Sequence, residues 1–290
     1  MTALERWLRG ALAPAAPLRR IALLRIVVAG FTVADTQWIV NDVIPHATGP
    51  QNLYSPLVLR DLLHLPTPNL PYAWALQAVI VVAALVVASG RAPRLAGFAL
   101  AAAFTDWVSI GMSYNKVDHD HFALVVALWA LATVGPARRD DRTPSEAAGW
   151  ALTCIQVAVV ATYFLSAWAK FRFGTVQWAN GAVFAWAIVR RGTALGDELL
   201  RFPALLRGLQ WSLLVLELAS PLLLLLRHRW RWLAVLGFAG FHLTTYAILK
   251  IHFLPLVVCL LAFLPLERLR FPRRAVEARP TPGEPEPVVA

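Results

Sequence analysis

The chain has 290 residues, of which 58% are hydrophobic and only 15% charged, and it carries a formal net charge of +10. Ordinary soluble domains are about 45–50% apolar and about 25% charged. The balance here excludes a disordered chain, a secreted disulfide scaffold and an ordinary water-soluble enzyme, and it points to a lipid bilayer as the solvent.

The excess of Lys and Arg sits mostly between apolar runs. That is the pattern of membrane topology rather than of a nucleic-acid surface, so no nucleic-acid partner is expected. Cys154 and Cys259 lie in separate apolar runs and form no CxxC pair, so cysteine chemistry is not expected. The 12 Trp residues suit membrane interfaces.

Residues 1–20 read as a cytoplasmic N-terminal segment, with an amphipathic helix over 3–12. A spanning helix needs about 20 apolar residues. Eight runs qualify or come close: 21–40, 72–90, 95–113, 121–136, 149–169, 210–226, 232–248 and 252–266. The first run contains Arg25 and Asp35, and no small-x-small cleavage site follows it, so it reads as a retained span. Residues 41–71 and 171–209 form long external loops. Within the second, 178–188 reads as a short interfacial or re-entrant helix and 197–209 as an amphipathic one. Residues 267–290 are basic, then Pro- and Glu-rich, and read as a disordered cytoplasmic tail.

Basic residues test this segmentation. The segments before the first run and after the second, fourth, sixth and eighth hold 17 Lys and Arg, against 9 in the intervening loops. By the positive-inside rule both termini are cytoplasmic, and the number of spans is even. The expected fold is an all-α integral membrane protein with about eight transmembrane helices around 21–266 and short interfacial helices outside. It belongs in the plasma (inner) membrane of a bacterial cell.

Ionisable residues at membrane depth ask for a partner or a role. Arg25 and Asp35 lie ten residues apart on the first span, about 15 Å along a helix, too far to pair. Arg25 is expected to snorkel toward cytoplasmic headgroups. Asp106 and Glu217 cannot snorkel and are expected against a cation or hydroxyl. The run Asn115, Lys116, Asp118, His119, Asp120 and His121 holds metal-ligand residue types. No HExxH or cysteine ligands accompany it, so no metal is expected and a polar cap or hydrogen-bonding role is favoured.

Lys170 follows Tyr163, Phe164, Ser166 and Trp168 at the end of the fifth span. It either snorkels outward or sits in an apolar pocket, where a desolvated amine can act as a general base. His242 has Tyr246 one turn on, with Lys250 and His252 beyond. Asp35, Asp106, His119, His121, Lys170, His242, Tyr246 and His252 all fall in the outer halves of the predicted spans. An outward-facing polar site with a lateral entrance for an apolar substrate accounts for this.

Several of these residues carry a family resemblance. Leu24-Arg25-Ile26 with Gly30 and Asp35 is similar to an opening Arg…Gly…Asp helix. Ser113 to Leu124 is similar to a polar Asn-His segment before a Leu-rich helix. Tyr163-Phe164, Lys170, Trp178 and Gly181 resemble a Tyr-Phe…Lys…Trp-x-x-Gly pattern. Glu217 with Pro221, then His242 and Phe253, complete the order. Together they resemble the horizontally transferred transmembrane (HTTM) domain, the membrane domain of vitamin K-dependent gamma-carboxylases.

The resemblance implies a reduced quinone, vitamin K-like, as cofactor or substrate. It implies Lys170 as the base that deprotonates it and His119 as a catalytic residue that stabilises the reacting species. Arg25, Asp35, Asp106, His121, Tyr163, Trp178, Glu217, His242, Tyr246 and His252 would support the polar site. This chain departs from the carboxylases by having Ala169 where they have a second lysine, by a Lys-to-Trp spacing three residues longer, and by showing no β-rich soluble domain. Quinol handling is therefore expected rather than peptide carboxylation. The competing expectation is a non-catalytic scaffold with a protein partner in the membrane or outside it. Lipids surround the protein in both.

Overall fold

The computed structural model describes residues 2, 10, 12–39, 42–114 and 117–269. Asn115, Lys116, most of the 3–12 helix expected from the sequence, and the tail beyond 269 lie outside the described residues. The fold is helical; the two strands among the described residues are the dipeptides β1 (Ala16–Pro17) and β2 (Pro144–Ser145), paired antiparallel with Ala16 opposite Ser145.

Helix α1 (Leu18–Ala34) continues into a π-helical turn, Asp35–Ile39. Two short helices, α2 (Val43–His46) and α3 (Val58–Leu62), lie in the loop that follows. Helix α4 (Leu70–Ala88) starts where the Asn69 side chain accepts from the Tyr72 backbone N–H. Helix α5 (Pro93–Met112) starts at a proline, whose missing N–H costs nothing in the first turn. Then come α6 (His121–Thr133) and α7 (Glu146–Gly174), the latter capped by Ser145. At 29 residues α7 is about 43 Å long and exceeds a hydrocarbon core of about 30 Å.

The second half is more broken. Gly181, at φ 99°, takes a conformation that a side chain would resist, and so turns the chain into α8 (Ala182–Arg191). Helix α9 (Ala194–Leu199) is capped by Thr193. Helix α10 covers Pro203–Leu218 rather than 210–226, and the expected amphipathic helix at 197–209 is divided between α9 and α10. Pro203 starts α10 in its first turn. The chain turns at Ala219–Ser220, and Pro221 precedes the short α11 (Leu222–Leu225). Helix α12 (His228–Leu249) ends at Lys250 in a left-handed conformation, and α13 (Leu254–Cys259) runs on as a 3-10 turn to Phe263.

Among the described residues, five helical segments are long and apolar enough to cross a membrane: Leu18–Ile39, α4, α5, α7 and Arg229–Leu249. Helix α6, at 13 residues, and Leu254–Phe263 are apolar but shorter. Helix α4 packs on both α1 and α5, α5 on α6, and α6 on α7. Ile21, Leu24, Phe104, Trp107, Leu124 and Ile155 are fully buried in the core they enclose. Helix α12 is peripheral: 17% of its apolar window is buried, against 61% for α5. Gly149 admits the chain at Pro14, where a Cβ would lie 1.8 Å from the Pro14 carbonyl oxygen.

The basic segments meet at one end of the bundle. Leu18 and Arg19 N–H groups donate to the carbonyls of Thr143 and Asp141. Arg20 forms a two-bond ion pair with Glu267, 2.6 and 2.7 Å, and Arg19 donates to the Leu269 carbonyl. Glu267 is partly buried, which opposes its ionisation, but the Arg20 guanidinium outweighs this and holds the carboxyl below its usual range.

Candidate functional site

Tyr163, Ser166 and Lys170 stand at i, i+3 and i+7 on α7 and so share one face of it. Glu217 on α10 meets that face. Lys170 Nζ donates to Glu217 Oε1 at 2.6 Å, to Oε2 at 2.5 Å and to Ser166 Oγ at 2.8 Å. All three ammonium hydrogens are thereby engaged. The Trp178 ring lies 5.3 Å from Nζ, in cation–π range. Trp178 is held in turn by Gln210, whose side-chain N–H₂ donates to the Trp178 carbonyl at 2.7 Å.

One turn and more above, the Tyr163 hydroxyl is 2.6 Å from His242 Nε2. Both side chains are buried, and Phe238, Phe241 and Phe253 pack around the pair. His242 Nδ1 is buried with no hydrogen-bond partner among the described residues. Phe253 is a shared neighbour of both histidines, with its ring centroid 6.0 Å from that of His119 and 5.2 Å from that of His242.

Apart from Gln210 and Phe238, these groups line one cavity of about 490 Å³. The rest of its wall is mostly apolar, with Phe184 and Ile188 from α8, Leu206 from α10 and Ile248 from α12; Thr162, Ser212, Thr244 and Thr245 also line it, and their hydroxyls donate to carbonyls of their own helices. Helices α8 and α9 are fixed over it through Thr193, whose N–H donates to the Ile248 carbonyl and whose hydroxyl donates to that of Ala247. The cavity thus offers an apolar volume with two polar stations, Lys170–Glu217–Ser166 and Tyr163–His242.

The other residues expected at the site are elsewhere. Arg25 is 4% exposed and does not snorkel: it donates to the carbonyls of Leu131, Val134 and Gly135 at the C-terminal end of α6. Its face of α1 is packed against that helix end, where the last carbonyls run short of intrahelical donors; Leu131 keeps a 3.3 Å bond from the Val134 N–H. Asp35 pairs with His121 at 3.1 Å, and Asp120 approaches the other ring nitrogen of His121 at 3.3 Å. Asp106 is bonded to Arg60, Tyr72 and Ser109, a buried network that ties the loop before α4 to α5. Tyr246 and His252 are exposed and do not line the cavity.

Ser166 and Arg60 gain roles the sequence reading did not give them. Ser166 had a signal, since it stands one turn before Lys170. Arg60 had none beyond being a lone cation in a long external loop. Among the described residues no group of three or more His, Cys, Asp and Glu is placed to hold a metal ion. No protein-family model, curated protein or solved structure matches the chain.

Proposed function

We propose that this chain takes a quinol, or another lipid-soluble substrate with an acidic hydroxyl, into the cavity and removes its proton with Lys170 as general base. The observation that supports this is that Lys170, His119 and His242 line the same cavity. In this reading the protein is an HTTM-like, vitamin K-dependent carboxylase-like enzyme of the plasma membrane. Eight apolar segments cross the bilayer with both termini inside, and the site faces outward.

The cavity fits such a ligand. About 490 Å³ falls within the roughly 300–1,000 Å³ of small-molecule sites, and an apolar wall with few polar groups is their usual make-up. His242, a wall residue, keeps its Nδ1 without a partner among the described residues, so the ring has hydrogen-bonding capacity to spare. A bound quinol supplies two electrons, which dioxygen takes up with two protons as hydrogen peroxide, leaving the quinone.

The residues divide the work. One ammonium proton of Lys170 passes to Glu217 along their hydrogen bond, which frees the amine lone pair to accept the substrate proton. Ser166 holds Nζ in place, and Trp178 lies over the cation formed after transfer. Tyr163 fixes the His242 ring so that it can hold a substrate oxygen, and His119 is on the wall of the same cavity. The apolar wall keeps water from competing for the base.

The test is oxygen-dependent oxidation of reduced naphthoquinone by the purified protein, beside Lys170→Met and the double variant Lys170→Met/Glu217→Gln. The double variant leaves no lone buried carboxylate and controls for folding. Turnover by the parent, lost in both folded variants, is the expected result. A parent protein inert toward several quinols, or variants that keep full turnover, would overturn it.

One observation favours a second reading. Every hydrogen of the Lys170 ammonium already has an acceptor within the protein. In this second reading the lysine locks α7 to α10, in a non-catalytic scaffold that presents the α8–α9 cover to a protein partner. That reading predicts an inert parent protein and variants that lose stability alone.

A further inference from the structure

A second cavity, of about 560 Å³, opens at the basic end of the bundle, between the start of α1, the end of α4 and the segment after α6. It is far more polar than the first. Arg25, Arg138 and Arg139 are in its wall, with Ser89 and the backbone at Gly90, and Asp140 is the acidic residue among the lining. Arg94 lies against Gly135, close enough to Arg25 for the two cations to repel.

Arg25 makes this cavity unusual. It is buried, and its hydrogen-bond partners are three carbonyls. Those carbonyls satisfy its donors but do not neutralise its charge. Arg25, Arg94, Arg138 and Arg139 form no ion pair among the described residues. A buried cation without a counter-ion is costly, and here another cation sits beside it. The missing negative charge has one evident place to sit, the open polar volume that Arg25 shares with Arg138 and Arg139.

We propose that this cavity binds a phosphoryl group, the headgroup of an anionic membrane lipid whose tails run along α1 and α4. Guanidinium forks match phosphate oxygens, and Arg138 and Arg139 are exposed and free to close on a headgroup. The apolar residues Ala22, Ile26 and Val87 in the same wall suit the start of an acyl chain. Basic pockets between transmembrane helices are known seats for such headgroups. The proposal stands apart from the Lys170 cavity and does not depend on its chemistry.

The full-length protein in neutral detergent is titrated with phosphatidylglycerol, phosphatidylcholine and inorganic phosphate, with binding read by native mass spectrometry and by the unfolding midpoint. Phosphatidylglycerol is expected to bind saturably, at least about ten-fold more tightly than phosphatidylcholine. Arg138→Gln/Arg139→Gln should abolish that preference. Arg227→Gln/Arg229→Gln, which removes as much charge outside the cavity, should keep it. Inorganic phosphate competing as well as the lipid would support the phosphoryl site while assigning it to a soluble ligand. Equal binding of the two lipids, or equal loss in both double variants, would overturn the proposal.

Discussion

Lys170 and Glu217 face each other from α7 and α10 with both carboxylate oxygens within 2.6 Å of Nζ, although 47 residues separate them. The Glu217 side chain is 7% exposed and that of Lys170 21%. Attraction in so dry a place is strong, but so is the cost of stripping water from two charges. The net worth of the pair is therefore small, while the cost of breaking it is not.

Truncating one partner should do more harm than truncating both. Lys170→Met strands the Glu217 carboxylate with Ser166 at 3.4 Å, and should cost about 3 kcal/mol. Lys170→Met/Glu217→Leu should cost less than the sum of its single variants, with a coupling of at least about 1 kcal/mol. Unfolding midpoints of the four proteins in one detergent measure this. Strict additivity would show that the two charges do not interact, and would remove the proton exchange assigned to them.

The sequence was informative wherever period and charge act locally. The apolar runs mark the helices, because the bilayer forces each backbone donor and acceptor to be met within its own segment. Asp106 and Glu217 announced themselves as needing partners, since a carboxylate that cannot reach water must find a donor. What period cannot give is the partner. Arg60 reaches Asp106 across 46 residues, and His121 reaches Asp35 across 86. Arg25 looked like a snorkelling residue because its distance from the helix end allows it; only the packing of α1 on the end of α6 shows that carbonyls await it. The early start of α10 followed from Pro203, a signal outweighed by the apolar run further on.

Arg60 is fully buried among Asp106, Tyr54, Ser109 and the Pro66 carbonyl. Asp106→Asn removes the carboxylate that neutralises it among the described residues, and should destabilise the protein by about 3 kcal/mol. Because Arg60 anchors the loop before α4, the damage should be local first. Limited proteolysis should cut within residues 50–69 at least about ten times faster than in the parent. Unchanged cleavage there would mean that the loop is held by other contacts.

The Arg20–Glu267 pair carries a pH dependence of definite sign. The Glu267 carboxyl sits below its ordinary 4.5 in the folded protein. Its contribution is therefore complete above about pH 5 and fades as the pH falls through the folded value. A partly buried, two-bond pair is worth about 1 kcal/mol, a few degrees in the unfolding midpoint. Glu267→Gln should lower the midpoint by that amount at pH 7 and by less at pH 4. An equal difference at both values would assign the loss to packing instead of charge.

Tyr163→Phe tests how dry the Lys170 cavity is. The substitution keeps the ring against Phe238 and removes the hydroxyl bonded to His242 Nε2. His242 then has two buried nitrogens without protein partners, which should cost about 1–3 kcal/mol. Tyr163→Phe/His242→Phe, with both polar groups gone, should recover most of that loss. If Tyr163→Phe alone is neutral, water has entered to serve the imidazole. A cavity that admits water so readily shields a base poorly, and the lysine at its other end would then compete with solvent for every proton it takes.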